Sequence, residues 1–262
     1  MKTLTLGAER VRLEMKSFFR SRQAAVFTFF FPVMLLVLFA SIFHGEIDDS
    51  HVDFRQYFIA GIIASGIMST SFNNLAISMA VERHTGVLKR LAGTPMPKPS
   101  YFIGKVGMAL ASGVIQTALM LALAVSLYGV DLPSDAGRWL WFVYIMIMGS
   151  VTCSLVGIIY SLVPKDANNA PAYVTPPYLF LQFISGVFIV ITSLGAGLQA
   201  IASVFPLRWM ASGLRYVFLP SSFEVQEPGH QWHLATGAFV LTAWLVGAFV
   251  VALRRFRFVD DR

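Results

Sequence analysis

Few residues of this 262-residue chain have the types and spacing that catalysis or metal binding requires. His230 and His233 form an H-x-x-H pair that could ligate a metal from one helix face, but no acidic or cysteine ligand lies beside them. Gly104-Lys105 lacks the upstream glycine and the following hydroxyl residue of a G-x-x-x-x-G-K-[ST] phosphate loop. No Ser/His/Asp or Cys/His constellation stands out. We therefore predict no catalytic residue, no metal site and no cofactor bound by this chain.

The composition indicates a protein that is dissolved in lipid. Hydrophobic residues make up 56% of the chain and charged residues 13%, whereas ordinary globular proteins carry about 25% charged residues. The net charge of +6 could suggest a nucleic-acid partner, but the basic residues lie between apolar runs rather than on one soluble face. Cys153 is the single cysteine, so intrachain disulfides are excluded. We predict an all-α integral membrane protein without a nucleic-acid partner.

Six apolar segments are long enough to cross a hydrocarbon core of about 30 Å, which needs roughly 20 residues. Each must be a helix, because backbone polar groups find no water partners in lipid. Pro176-Pro177 should kink the fifth segment and free backbone groups that neighbouring helices must satisfy. The predicted spans are residues 24–43, 57–80, 106–128, 139–163, 172–191 and 232–253.

The distribution of lysine and arginine predicts the orientation of these spans, because positively charged loops stay in the cytoplasm. The N-terminal segment 1–23, the loop 81–105, the short loop at Lys165 and the tail 254–262 hold most of these residues. Only Arg55, Arg138, Arg208 and Arg215 fall in the alternate loops. We therefore predict a multi-pass plasma-membrane protein, in the bacterial inner membrane, with both termini in the cytoplasm.

All 20 Lys and Arg and all 14 Asp and Glu fall outside the predicted spans. Ion-coupled transporters usually keep ionisable groups within the membrane, where each is costly and is retained because it binds the ion. If the protein transports a solute, its energy must therefore come from outside the membrane domain.

Two further segments are expected to be helices that do not span. Residues 4–22 place Leu4, Ala8, Val11, Met15, Phe18 and Phe19 on one helical face, which predicts an amphipathic helix in the membrane interface. A topological anchor and a mechanical role fit this helix equally well. Residues 192–231 contain apolar pieces interrupted by Pro206, Arg208 and Arg215, too short to cross, which we interpret as re-entrant or interfacial helices on the outer side.

The loop 81–105 is the segment best suited to contact a soluble partner. A short charged helix with an apolar ridge of Val87, Leu88 and Leu91 should project from the membrane and stop near Gly93, before Pro95. Such a protrusion could insert into a groove on another protein. A solvated basic loop that serves only topology is the alternative.

This loop resembles the E-R-E-x-G-x-x-x-x-L-x-x-x-P pattern of the permease subunits of type-2 ABC exporters, a group that includes daunorubicin-resistance-like drug exporters. Glu82, Arg83, Gly86, Leu91 and Pro95 match the pattern, and His84 replaces the second acid. Gly104-Lys105 resembles the family's entry to the third span. The amphipathic N-terminal helix, the six spans and the segment from Pro206 to Arg215 extend the resemblance over nearly the whole chain.

The resemblance implies that residues 82–91 form the coupling helix seated on a separate nucleotide-binding ATPase subunit, with the N-terminal helix as a second contact. The implied ATPase-coupling residues are Glu82, Arg83, Gly86, Leu88, Leu91 and Pro95. It also implies a second membrane subunit, identical or related. ATP and Mg²⁺ would bind to the partner ATPase and not to this chain.

In the family that this chain resembles, the two membrane subunits meet along a cleft built from the first, second and fifth spans. Uncharged polar residues and aromatic residues on these spans suit a hydrophobic or amphipathic cargo such as a drug, an antibiotic or a lipid. The alternative for each residue is helix packing, in which small and polar residues are enriched. The candidates for the cargo path are Phe27, Phe30, Ser69, Asn73, Asn74, Phe180, Gln182 and Phe183.

Three other functions remain open at this point. An exporter of polysaccharide or lipid-linked glycan shares the implied fold. A membrane anchor or assembly subunit that transports nothing is a second alternative. An enzyme acting within the membrane is a third, but the spans offer no acidic residues or metal ligands for it.

Overall fold

The computed structural model of the chain describes residues 2–43, 45, 47 and 52–256, and the regular elements of these residues are helices. Short 3-10 turns at Ile191–Ser193, Ser221–Gln226 and Pro228–His230 join some of them. The α-helices are α1 (Lys2–Arg20), α2 (Arg22–Ile42), α3 (Phe54–Met68), α4 (Asn74–His84), α5 (Val87–Ala92), α6 (Lys98–Tyr128), α7 (Ala136–Tyr160), α8 (Ala170–Ile184), α9 (Ala196–Val204), α10 (Pro206–Phe218) and α11 (Leu234–Arg255).

Five helical segments of the described residues are long and apolar enough to cross a membrane. Each overlaps one of the predicted spans, and four of them run past a predicted limit, so that charged groups such as Arg55, Glu82 and Lys105 lie inside helices. The tail was predicted to begin at residue 254, but α11 continues to Arg255, and residues 257–262 lie outside the described part. The five segments are Ala25–Ile42, Phe54–His84, Pro99–Tyr128, Ala136–Tyr160 and Leu234–Arg255.

The predicted fifth span, 172–191, does not form one helix of that length. Helix α8 has 15 residues, which corresponds to a rise of about 22 Å, short of the ~30 Å hydrocarbon core. The apolar run continues beyond it, but Gly186 has a φ of +76° and interrupts the helix. The carbonyl of Gly186 accepts hydrogen bonds from Tyr57 Oη (2.8 Å) and Arg215 Nη1 (3.0 Å), which pin the break to α3 and α10.

The prolines within α8 leave carbonyls without their helical donors, as predicted. Pro177 cannot donate to Tyr173, four residues earlier. The Tyr173 carbonyl instead accepts a hydrogen bond of 3.4 Å from Tyr160 Oη at the end of α7. A neighbouring helix thus satisfies the backbone group that the proline frees.

A single rod of α3, a π-helical segment Ser69–Asn73 and α4 occupies the centre of the bundle. We call the end of the bundle that carries the turn between α4 and α5 the basal end, and the end where α3 begins the apical end. The π segment packs closely on α7 at Gly157, where an added Cβ would lie 3.0 Å from the carbonyl oxygen of Phe72. A side chain at position 157 would therefore separate the two helices.

Helices α9 and α10 form a hairpin that enters half of the depth of the bundle. Its tip lies near the midpoint of α11, where Trp244 Nε1 donates to the Val204 carbonyl at 2.6 Å. From there α10 returns to the apical end, where Arg138 Nη1 donates to the Leu219 carbonyl at 2.7 Å. Pro206 begins α10, a position at which the missing N–H costs nothing. The two helices occupy the predicted re-entrant region, whereas their relation to the membrane stays a prediction.

A buried charge cluster ties α10 to the loop that follows it. Glu227 accepts from Arg215 Nε at 2.5 Å and from Arg208 Nη2 at 3.0 Å, and all three side chains are at most 4% exposed. Burial disfavours the carboxylate, but Arg215 and Arg208 outweigh it and hold the pKa of Glu227 below its ordinary value. The two arginines that interrupt the apolar pattern of this region therefore have a structural partner.

Helix α1 runs alongside the first turns of α6. Ser100 Oγ donates to the Thr3 carbonyl at 3.0 Å, and Ser112 Oγ lies 3.6 Å from Met15 Sδ. The two helices therefore run in the same direction over about three turns. The helix predicted to lie in the interface is packed on a neighbouring helix along one face.

Two glycines of α6 permit this close approach. An added Cβ at Gly104 would lie 2.2 Å from Cγ of Arg10, and one at Gly107 would lie 2.5 Å from Cγ2 of Val11. Any larger residue at these positions would push α1 away.

Candidate functional site

The basal end of the bundle is organised around Lys105, whose side chain is 1% exposed. Its Nζ lies 2.8 Å from Glu14 Oε2 of α1 and also bonds Glu82 Oε1 of α4. Lys105 itself belongs to α6. One ammonium group therefore joins three helices that are far apart in sequence.

Each carboxylate of this network has a second donor. Tyr101 Oη donates to Glu82 Oε2 at 2.7 Å, and Arg10 Nη2 lies 2.7 Å from Glu14 Oε1. Two cations and two anions make the network neutral, which offsets part of the cost of removing charges from water. Charge-assisted bonds of this kind also fix the geometry of their groups. We call Arg10, Glu14, Glu82, Tyr101 and Lys105 the basal network.

The segment after Glu82 is two short helices and not the single helix predicted. Helix α4 ends at His84, and Gly86, with a φ of +74°, turns the chain into α5. Arg83 Nη2 donates to the Pro164 carbonyl at 2.8 Å, and His84 Nε2 lies 3.1 Å from the same oxygen. The predicted coupling residues Glu82 and Arg83 are thus bound to other parts of this chain.

Leu88 is not part of an exposed ridge, which corrects one expectation. Its side chain is 1% exposed and packs in a cluster with Leu75, Met79, Tyr101 and Ile158. The cluster forms because α5 folds back against the ends of α4, α6 and α7, and so provides a pocket for an apolar side chain. Leu88 fixes the position of α5 from the inside.

The remaining residues of this segment form the surface that a partner would meet. Val87 and Leu91 are half-buried, whereas Pro95 is exposed. Lys89 and Arg90 are also exposed, which makes the outer face of α5 basic. The structure therefore divides the predicted coupling residues into internal anchors and a basic exposed surface.

Three of the predicted cargo-path residues make hydrogen bonds between helices. Asn74 Nδ2 donates to Thr28 Oγ1 at 2.9 Å, and Asn73 Oδ1 accepts from Thr175 Oγ1 at 3.3 Å. These two bonds place the π segment between α2 and α8. Gln182 is buried and accepts from Ser65 Oγ at 2.9 Å. Their observed contacts are those of helix packing.

Ser69 begins the π segment and is half-buried. A π turn inside an α-helix frequently marks a functional site. Buried polar groups surround this one, since Ser71 Oγ, Ser150 Oγ and both side-chain polar atoms of Gln116 have no hydrogen-bond partner within the protein. The middle of the bundle is therefore more polar than the apolar spans suggest.

The four aromatic candidates lie on the outside of α2 and α8. Phe27 and Phe30 on α2 are 66% and 61% exposed, and Phe180 and Phe183 on α8 are 54% and 52% exposed. Helix α2 bonds Asn74 at the end of the π segment, and α8 bonds Asn73 within it. The candidates thus combine exposed aromatic rings on α2 and α8 with buried or half-buried polar groups beside them.

The histidine pair lies in the apical loops and contacts backbone oxygens. His230 Nδ1 is 2.6 Å from the Val225 carbonyl, and His233 Nε2 is 2.9 Å from the Pro228 carbonyl. Among the residues described, no group of three His, Cys, Asp or Glu side chains could hold a metal ion.

Glu14 and Tyr101 are members of the basal network that the sequence analysis missed. A signal for Glu14 was present, because it follows Val11 by three residues and precedes Phe18 by four, which places a carboxylate on the apolar face of α1. A charge on a face that packs needs a buried partner. Nothing in the sequence identifies Tyr101 as one of the groups that meet it.

Comparison with known proteins places the chain in a family. Residues 11–219 match the family model described as ABC-2 type transporter. The chain is 26% identical to the inner membrane transport permease YadH of Escherichia coli K12 over 190 aligned residues. The alignment covers 71% of this chain and 72% of that protein.

Two other relatives carry related names. The daunorubicin resistance ABC transporter permease protein DrrB1 of Streptomyces coeruleorubidus is 24% identical over 192 residues, covering 70% of this chain and 64% of that protein. The putative transport permease ycf38 of Porphyra purpurea is 22% identical over 204 residues, covering 75% of this chain and 68% of that protein. The all-helical fold, the five apolar helices and the extent of the family match lead to one conclusion: the chain belongs to the ABC-2 type transporter family and is a multi-pass permease subunit of an ABC transporter.

Proposed function

We propose that this permease exports a hydrophobic or amphipathic cargo, such as a drug, an antibiotic or a lipid, with ATP hydrolysed by a separate subunit. The observation that carries the proposal is the α4–α5 turn, which is fixed to the bundle through Glu82 and Leu88 and exposes a basic surface at its tip. A partner that moves this tip would move α4, and with it the central rod.

The choice of cargo rests on the side of the bundle formed by α2, the π segment and α8. Exposed phenylalanines there lie beside Asn73, Asn74 and Gln182, whose side chains are polar and uncharged, a combination suited to a molecule with apolar and uncharged polar parts. The name of the relative DrrB1 refers to daunorubicin resistance, which favours a drug-like cargo over a polysaccharide.

We infer six crossings, with both termini in the cytoplasm. Helix α8 begins beside the basal end, where its first turns contact Asn73 and Tyr160. The break at Gly186 lies at the apical end, beside Tyr57. The turn and bend residues 185–190 after α8 would complete the crossing that its 15 residues cannot make alone. Reporter enzymes fused to each terminus should both be active in the cytoplasm, and opposite locations would contradict this topology.

The exposed aromatic surfaces of α2 and α8 support a second membrane subunit, a copy of this chain or a related permease. Such a subunit would cover the four exposed phenylalanines. We propose a transporting unit of two permeases and two ATPases.

The test is copurification with a candidate ATPase, reconstitution into vesicles, and measurement of ATP hydrolysis with and without lipophilic cargoes. Gly86→Pro should abolish cargo-stimulated hydrolysis, because proline requires a φ near −65° and Gly86 has +74°. Gly195→Pro is the matched control, since Gly195 has a φ of −59° and precedes α9.

A charge reversal provides a second comparison. Glu82→Lys places two ammonium groups together in the basal network and should uncouple transport while the protein still inserts into the membrane. Glu9→Lys changes an exposed acid on α1 and should behave as the wild type. Normal coupling in Gly86→Pro and Glu82→Lys would refute the proposed role of this turn.

A further inference from the structure

An apolar groove of about 580 Å³ lies between α7 and α11 in the basal half of the bundle. None of its lining residues is a candidate for the cargo path, although the lining residue Tyr160 also donates to the Tyr173 carbonyl of α8. Helix α7 contributes Val156, Ile159 and Tyr160, and the tip of the α9–α10 hairpin contributes Val204. The wall from α11 consists of Ala243, Trp244, Gly247, Ala248 and Val251.

Small residues of α11 keep this groove open. An added Cβ at Gly247 would meet no atom within 4 Å, and Ala243, one turn earlier, and Ala248, the next residue, belong to the same wall. From Ala243 to Val251 the wall is about 12 Å long at 1.5 Å per residue. This length is close to the ~15 Å depth of one bilayer leaflet.

The apical end of the groove is closed. Trp244 Nε1 donates to the Val204 carbonyl at 2.6 Å and so joins α11 to the hairpin at mid-depth. This bond satisfies the indole N–H, which leaves it unavailable to a ligand. The lining therefore favours a hydrocarbon chain that enters from the basal end.

Two arginines lie on the same face of α11, one turn beyond the groove. Arg254 and Arg255 follow Val251 by three and four residues, a spacing that places them next to it along the helix surface. Both are exposed, and neither pairs with a carboxylate of the described residues. Basic residues at the end of an apolar groove between spanning helices are the arrangement that anionic lipid headgroups recognise.

We propose that this groove binds one anionic phospholipid, with an acyl chain between α7 and α11 and its phosphate at Arg254 and Arg255. The lipid would come from the leaflet on the basal side. It would fill the groove between the end of α11 and α7. The site is separate from the proposed cargo path and does not depend on the ATPase.

The test is native mass spectrometry of the purified permease after exchange into phosphatidylglycerol or phosphatidylcholine with identical acyl chains. We expect one phosphatidylglycerol retained per chain and much weaker retention of phosphatidylcholine. Arg254→Gln and Arg255→Gln should each weaken phosphatidylglycerol binding about fivefold, since a basic residue near the membrane surface contributes about 1 kcal/mol, and leave phosphatidylcholine unchanged.

Gly247→Leu should reduce retention of both lipids, because position 247 has open space for a Cβ and the leucine side chain would take up part of the groove. Gly197→Leu and Arg22→Gln are the controls: Gly197 also has open space around it, and Arg22 is an exposed arginine at the start of α2. A melting temperature equal to that of the wild type shows that each variant is folded. Equal retention of the two lipids by the wild type, or unchanged retention in Gly247→Leu, would overturn the proposal.

Discussion

Replacing Lys105 by methionine tests the basal network most directly. Methionine keeps the length of the apolar stem but removes the ammonium group, so that Glu14 and Glu82 face each other with one fewer cation. Breaking a buried ion pair by removing one partner costs about 3–5 kcal/mol. We expect about 3 kcal/mol, the lower end, because Glu82 is 20% exposed and each carboxylate keeps its second donor.

This loss should appear as a lower melting temperature of the purified protein. For a chain of this size, 1 kcal/mol corresponds to about 2–4 °C, so the decrease should be about 6–12 °C. Differential scanning fluorimetry in detergent measures it. The vesicle assay should also show a lower ratio of transport to ATP hydrolysis, because α4 is no longer fixed to α6 and α1.

Two comparisons make this result specific. Lys89→Met removes an exposed lysine of α5 and should leave the melting temperature within about 1 °C. Combining Lys105→Met with Glu14→Gln and Glu82→Gln should recover most of the loss, since a neutral buried group costs far less than an unpaired charge. The reasoning is wrong if Lys105→Met and Lys89→Met have the same melting temperature, or if the triple variant is the least stable of the three.

Three further outcomes are expected. Gly104→Val should speed proteolysis of α1, because the added Cβ would lie 2.2 Å from Cγ of Arg10. The control is Gly197→Val, whose Cβ would meet nothing within 4 Å. Equally slow cleavage of the two variants would contradict the prediction. Gly86→Val should melt below Gly86→Asn, since a left-handed backbone costs about 1–2 kcal/mol for most residues and asparagine tolerates it better; equal melting temperatures would exclude backbone strain. Because the pKa of Glu227 is lowered, its carboxylate stabilises the fold fully above the ordinary pKa of about 4.5. This stabilisation is lost as the pH falls through the lowered pKa. In Glu227→Gln the melting temperature should therefore fall less as the pH is lowered. A fall as large as in the wild type would show that other groups cause it.

The spans were predictable because hydrophobic length is a strong and local signal. Four of the five apolar helices extend beyond a predicted limit, Phe54–His84 at both ends and the other three at one end, since a helix continues past the hydrocarbon region as long as its backbone bonds are satisfied. The break in the fifth predicted span was not predictable from hydropathy. It depends on Gly186, whose carbonyl is held by side chains from two other helices.

The coupling role of the candidate site stays a prediction, whereas its contacts could not be predicted. The pattern around Glu82 and Gly86 includes a glycine before a short helix, and Gly86 does occupy a turn that favours glycine. The pattern could not show that Glu82 and Leu88 point into the protein. That property depends on where Lys105, Tyr101 and Ile158 come together, which is a matter of tertiary structure.

The π segment Ser69–Asn73 has a geometric consequence for the far end of its rod. A turn that holds one additional residue rotates everything after it by about 100° relative to an uninterrupted α-helix. The Glu82 side chain points toward Lys105 because of that rotation. If all five residues of the segment formed regular α-helix instead, the carboxylate would be turned by that angle and aimed at a different neighbour.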